Sequence, residues 1–284
     1  MLRRRVPGGM PGKLCRLSRT VCLTSERLSP RMGAQQEDSV WIRRFHPAPE
    51  SRARLICLPH AGGSASFFFP MSQTLSSSAD VLCVQYPGRQ DRRHDPLIEN
   101  IDEYADAIAA ELKPWLDLPI VFFGHSMGAV LAFEVTRRLE EADAEFSARA
   151  LFASGRRAPS RYRDENVHRR DDDGVVREMK LLSGTDSRVL GNEEILRMAM
   201  PAIRGDYKAI ETYRSVPGAA VRSPITALTG DNDPRTSLEE AEAWRSHTTA
   251  AFDIRVFPGG HFFLADHQEP IMSLVAEALS GPRP

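Results

Sequence analysis

Residues 120–131, Ile-Val-Phe-Phe-Gly-His-Ser-Met-Gly-Ala-Val-Leu, constrain this chain more than any other stretch. Four apolar residues of strand type run straight into Gly124-His125-Ser126-Met127-Gly128, and Leu131, Val135 and Leu139 follow at helical spacing. The pattern is a strand, a sharp turn and a helix, with a serine at the apex. Strand and helix can approach so closely only where the flanking residues lack a Cβ, which accounts for both glycines. The helix start then aims its free N–H groups and positive dipole end at any oxyanion that develops beside the serine. Ser126 is therefore the candidate nucleophile, on the G-x-S-x-G turn that lifts a hydroxyl clear of a sheet.

Around that unit strand and helix alternate, which predicts an α/β fold with a mostly parallel sheet. Residues 41–45 read as an edge strand and 54–58 as a buried one, ended by Pro59-His60-Ala61-Gly62-Gly63-Ser64. A glycine pair after a strand, upstream of the elbow, is where α/β-hydrolases place a second oxyanion donor, here the Ala61 N–H. Residues 81–85 form the next strand, closed by Tyr86-Pro87-Gly88-Arg89, whose Pro and Gly suit a type II turn. The helix expected over 101–113 has Asn100 as its cap and Ile101, Tyr104, Ala105, Ile108 and Leu112 as its apolar face.

A further strand, 148–153, leads to Ser154-Gly155-Arg156-Arg157-Ala158-Pro159. The alternation then lapses. Residues 160–174 are strongly charged, and short helical patterns follow with Leu181, Leu182, Met198, Met200, Ile203, Tyr207 and Ile210. A helical lid insertion over about 158–215 is expected, its Met and Leu side chains turned toward an acyl chain. Strands return at 225–229 and 252–257, followed respectively by Gly230-Asp231-Asn232-Asp233-Pro234 and Pro258-Gly259-Gly260-His261, before a closing helix over 271–279.

Ser126, Asp233 and His261 each stand just past the C-terminal end of an expected strand, and in a parallel sheet those ends share one edge. Their chain order, Ser then Asp then His, is that of the α/β-hydrolases. Asp233 is preferred to Asp231 because the turn must first leave the strand. Asp206 and Asp266 read as solvated carboxylates, and His247 and His267 lie away from a strand end.

The formal net charge of −1 conceals an uneven distribution: residues 1–31 carry +7, which leaves −8 for the remainder. An acidic body argues against nucleic acid as the main partner. The basic segment 1–31 lacks periodicity and a signal-peptide core. It reads as a disordered extension, or as sequence upstream of a working start at Met32, more readily than as a targeting segment. No apolar run approaches the ~20 residues of a membrane span. Cys57 and Cys83 fall inside expected strands as small hydrophobes rather than a disulfide framework, which points to a reducing cytoplasm.

Residues 40–282 form the expected catalytic domain, and within it five segments carry a resemblance. Leu-Pro-His-Ala-Gly-Gly (58–63), Gln-Tyr-Pro-Gly-Arg (85–89), Gly-His-Ser-Met-Gly (124–128), Gly-Asp-Asn-Asp-Pro (230–234) and Gly-Gly-His-Phe-Phe-Leu (259–264) resemble the type II thioesterases of polyketide and nonribosomal peptide synthesis, and the related medium-chain fatty acyl thioesterase. The resemblance implies an α/β-hydrolase with Ser126, Asp233 and His261 as its triad, and Ala61 and Met127 as oxyanion donors. It also implies hydrolytic clearing of acyl groups from the phosphopantetheine arms of carrier proteins, with no cofactor and no metal. Carrier proteins of that kind are acidic, so Arg89, Arg92, Arg93, Arg156 and Arg157, all past strand ends near Ser126, are candidates for docking them. A general serine esterase or lipase uses the same triad and is the rival reading. A malonyl-type acyltransferase would continue the elbow with an acid where this chain has Ala129. A non-catalytic hydrolase-fold scaffold would not need Ser126, Asp233 and His261 together.

Overall fold

The computed structural model describes residues 39–182 and 193–281, all within the unit Gln36–Pro284; the extension 1–31 lies outside the described residues. Seven strands form one sheet in the order β1-β3-β2-β4-β5-β6-β7. They are β1 (Ile42–Arg43), β2 (Arg54–Leu58), β3 (Asp80–Val84), β4 (Ile120–His125), β5 (Ala150–Ser154), β6 (Ile225–Gly230) and β7 (Phe252–Phe257). Every pairing is parallel except β1 with β3, which is antiparallel. The edge strand expected over 41–45 is thus only two residues long.

Strands β2 to β5 are buried on both faces, which is why they read as apolar runs rather than alternating ones. Successive side chains still divide between two cores. Ile56, Leu82 and Phe122 pack under α2 (Ile101–Leu112) and α3 (Met127–Ala142), with Leu131, Val135 and Leu139. Leu55, Cys57, Val81 and Phe123 pack on the other face under α1 (Phe69–Leu75) and the closing helix, with Met71, Leu75, Ile271 and Val275. Cys57 and Cys83 are buried free thiols. Asn100 caps α2, its side chain accepting from the Asp102 and Glu103 N–H groups.

The order in which strands are added reverses at β2: β3 lies on one side of it and β4 on the other. Loops diverge at such a switch point and leave a crevice outside the strand C-termini. The turns after β2 and β4, carrying Ala61 and Ser126, flank it.

Between β5 and β6 the chain makes a helical excursion, with α4 (Asp172–Leu182) and α5 (Glu193–Thr212). Its small core of Val167, Val175, Met179, Met200 and Ile203 is separate from those of the sheet. Chain order continues with α6 (Leu238–Glu242) and α7 (Gln268–Ser280). Among the described residues no helix is long and apolar enough to cross a membrane.

Candidate active site

Ser126 is the residue between β4 and α3, with φ +55° and ψ −116°. A side chain in that region is strained by about 1–3 kcal/mol, and packing holds it there. A Cβ at Gly124 would overlap the Gly128 carbonyl, and one at Gly128 would overlap the Leu58 carbonyl of β2. Both glycines are therefore demanded by close approach. The Ser126 N–H is tied to the Ser154 carbonyl at the end of β5 (2.8 Å).

His261 Nε2 lies 3.0 Å from Ser126 Oγ, and His261 Nδ1 lies 2.9 Å from Asp233 Oδ2. The Asp233 side chain is wholly buried and that of His261 is 3% exposed. With Asp233 accepting from Nδ1–H, Nε2 is left to accept from the serine hydroxyl. Asp233 Oδ1 also accepts from the Arg235 N–H (2.8 Å). Asp231, its rival, is exposed and instead accepts from the Gly259 N–H (2.8 Å), stapling the loop after β6 to the loop after β7. Gly230 permits that staple, since a Cβ there would meet the carbonyls of Gly259 and Gly260.

Of three successive N–H groups after β2, two are occupied: Gly62 donates to Asp206 (2.8 Å) and Gly63 to the His60 carbonyl (2.9 Å). The Ala61 N–H is free, as is the Met127 N–H at the start of α3, among the described residues. Ala61 and Ser126 line one cavity of about 50 Å³, together with the apolar Met179, Leu182 and Ile210 and the charged Arg156, Glu165, Glu211 and Arg235. His60 packs edge-on to Phe67 and Phe262, and its buried Nδ1 has no hydrogen-bond partner. Burial, and then the charges of His261 and Arg89, bring its pKa down to about 3, so the ring is neutral. His125 is held well below the usual histidine range, again chiefly by burial.

The apolar residues expected to face an acyl chain divide three ways. Leu182, Tyr207 and Ile210 line the cavity; Met200 and Ile203 fill the excursion's own core; Leu181 and Met198 are exposed. Met200, Ile203, Tyr207 and Ile210 share one stripe of α5, which meets the small core toward its start and the cavity toward its end, while Met198 lies on the opposite face.

Two further expectations are corrected. Asp206 is not solvated: it is 1% exposed and accepts hydrogen bonds from Gly62, Tyr104 and Arg89. The arginines are, with one exception, not a docking surface. Arg89 is paired with Asp206 and the Pro87 carbonyl (2.8 Å). Arg92 is bound to the Gln85 carbonyl (2.9 Å) and Asp95 (2.8 Å), stacked over Trp41. Arg157 is paired with Glu165. All three are buried; only Arg93 is exposed. Arg156 is half-buried in the cavity wall with no hydrogen-bond partner for its Nε, and its pKa is brought down to about 9, by burial first and by Arg157 second. Beyond Arg156, Ile210 and Glu211 lies a second cavity of about 290 Å³.

Sequence reasoning missed Asp206 and the inward placement of Arg156. A signal for the first exists: Ile203, Asp206, Tyr207 and Ile210 fall at helical spacing, which puts the carboxylate on an apolar stripe. No group of three or more His, Cys, Asp or Glu that could hold a metal occurs among the described residues.

A mostly parallel sheet bearing a serine elbow, with an acid and a histidine delivered by its last two strands, defines an α/β-hydrolase. Within that class the chain belongs to the thioesterase family: the family model described as "Thioesterase domain" matches residues 53–279. It is 53% identical to a "Probable cadicidin biosynthesis thioesterase" of Streptomyces griseus over 257 residues, 90% of this chain and 71% of that one. It is 48% identical to "Thioesterase PikA5" of Streptomyces venezuelae, covering 86% of each. Among solved structures it resembles the type II thioesterase BorB from the borrelidin biosynthetic cluster, with a TM-score of 0.80 and 49% identity over 86% of this chain and 99% of that one.

Proposed function

We propose that this chain is a serine thioesterase that clears acyl groups from the phosphopantetheine arms of carrier proteins in polyketide or nonribosomal peptide synthesis. One observation carries the reading: the hydrogen-bonded series Asp233–His261–Ser126 ends in a cavity that Ala61, whose N–H is free, also lines, and the N–H of Met127, next in the chain to Ser126, is free as well. Ser126 Oγ attacks the thioester carbon as its proton passes to His261 Nε2. Asp233 stabilises the imidazolium so formed and holds its tautomer. The Ala61 and Met127 N–H groups take the oxyanion, each contributing on the order of 3 kcal/mol. The thiol leaves with the proton from His261, and a water deprotonated by the same nitrogen then releases the acid and Ser126.

The excursion spanning about 158–215 serves as the lid over this chamber. The biosynthetic relatives support a carrier protein as the partner, and that partner together with two unpaired buried cysteines fits a cytoplasmic site of action.

The test is to present the purified protein with acyl-carrier proteins, acyl-cysteamine thioesters and matched oxoesters, and to identify released acids by mass spectrometry. The reading expects kcat/KM to be higher for acyl-carrier thioesters than for acyl-cysteamine thioesters or oxoesters of the same acyl group. Equal rates on oxoesters and thioesters would make the chain a general esterase.

A further inference from the structure

Asp206 lies on α5, within the excursion and remote in sequence from every residue assigned a chemical role. Its carboxylate is nonetheless shared among three parts of the catalytic domain. Oδ2 accepts the Gly62 N–H of the loop after β2 (2.8 Å) and the Arg89 guanidinium from the turn after β3, and Oδ1 accepts the Tyr104 hydroxyl of α2 (2.9 Å). The same helix face closes on both glycine turns: a Cβ at Gly62 would stand 3.0 Å from Ile203 Cγ1, and one at Gly88 would stand 3.2 Å from Ala202 Cβ.

The peptide geometry shows what this seating does. The free N–H of Ala61 and the carbonyl of His60 belong to one peptide plane. Gly63 holds that carbonyl (2.9 Å), and Asp206 holds the N–H of the next plane, at a residue whose φ is +75°. With both planes pinned, the Ala61 N–H cannot rotate away from the chamber. Arg89 neutralises the carboxylate, so the anchor adds little repulsion toward a developing oxyanion.

We propose that Asp206 is a positioning residue for the Ala61 oxyanion donor, and that it makes the lid helix α5 a working part of the oxyanion hole. The proposal rests on the hydrolytic reading above, but not on the identity of the leaving group. The same donor serves a thioester or an oxoester.

Asp206→Asn is the test, read on whichever acyl substrate the wild-type protein turns over, with rates expressed per site titrated by a fluorophosphonate. An acyl trifluoromethyl ketone, which adds to the serine and places an oxyanion in the hole, is compared with an unreactive acyl thioether of the same chain. The expected result is a 10- to 100-fold loss of kcat and the same loss of affinity for the ketone, with KM and thioether affinity within twofold of wild type. If the Asn variant does not fold, Asp206→Glu is read in the same way, since it keeps the charge opposite Arg89 but displaces the acceptor from Gly62. A lowered melting temperature with kcat and ketone affinity unchanged would overturn the proposal, as would equal loss of ketone and thioether binding. Absence of turnover in the wild-type protein would instead sink the hydrolytic reading, and ketone affinity alone would then decide the role of Asp206.

Discussion

Ser126 shows how one position holds strain and chemistry together. Its φ of +55° is costly for any residue with a side chain and costs glycine little. Ser126→Gly should therefore raise the melting temperature while abolishing turnover, whereas Ser126→Ala should abolish turnover without that gain. Calorimetry of the two variants beside a fluorophosphonate labelling assay checks both statements. At the acid, Asp233→Asn should lower kcat by about 10⁴, because it favours the wrong histidine tautomer. Asp231→Asn, which loosens only the staple to Gly259, should cost far less, and the reverse ranking would transfer the role to Asp231. These residues were legible because each stands in a short run read locally: a strand, then a turn, then the side chain. Asp206 was not legible in that way. Its partners stand at 62, 89 and 104, and no local pattern announces a carboxylate shared among three distant segments.

At the scale of elements, the excursion between β5 and β6 was visible as a lapse in strand–helix alternation. Which of its faces met the chamber was not visible, because its two helices also had to build a core of their own from Val175, Met179, Met200 and Ile203. The arginines misled for a related reason. Charge past a strand end suggests a surface, yet in a doubly covered sheet those loops fold back over one another, and Arg89, Arg92 and Arg157 became internal ties. Arg156 stands with Ile210 and Glu211 in the wall shared by two cavities, and its loss has a direct consequence. Arg156→Ala should join the nucleophile's chamber to the neighbouring space of about 290 Å³. The ratio of kcat/KM for an eight-carbon over a three-carbon acyl thioester should rise at least about tenfold, since each buried methylene contributes about 0.8 kcal/mol. An unchanged chain-length profile would show that another group forms the barrier.

For the molecule as a whole, the neutral histidines set a limit on acid stability. His60 has its pKa brought from 6.5 to about 3, so the unfolded chain takes up a proton before the folded one does. Stability from this group is complete above pH 6.5 and is lost as pH falls toward 3, by about 1.4 kcal/mol between pH 7.5 and 5.5. His125 acts in the same direction. Urea titrations at the two pH values should show the loss, and His60→Gln should flatten it; equal slopes in the two proteins would refute the assignment. The margins of the sheet complete the picture. One is the two-residue β1, and the other is β7, where Asp253 and Arg255 are paired at 2.7 Å and Val256 is 47% exposed. An open strand is a template on which another chain can add. Here one template is too short to copy, and the other makes any newcomer find room for an ion pair. Replacing Asp253 and Arg255 with valine would remove that guard and let two copies join edge to edge through β7.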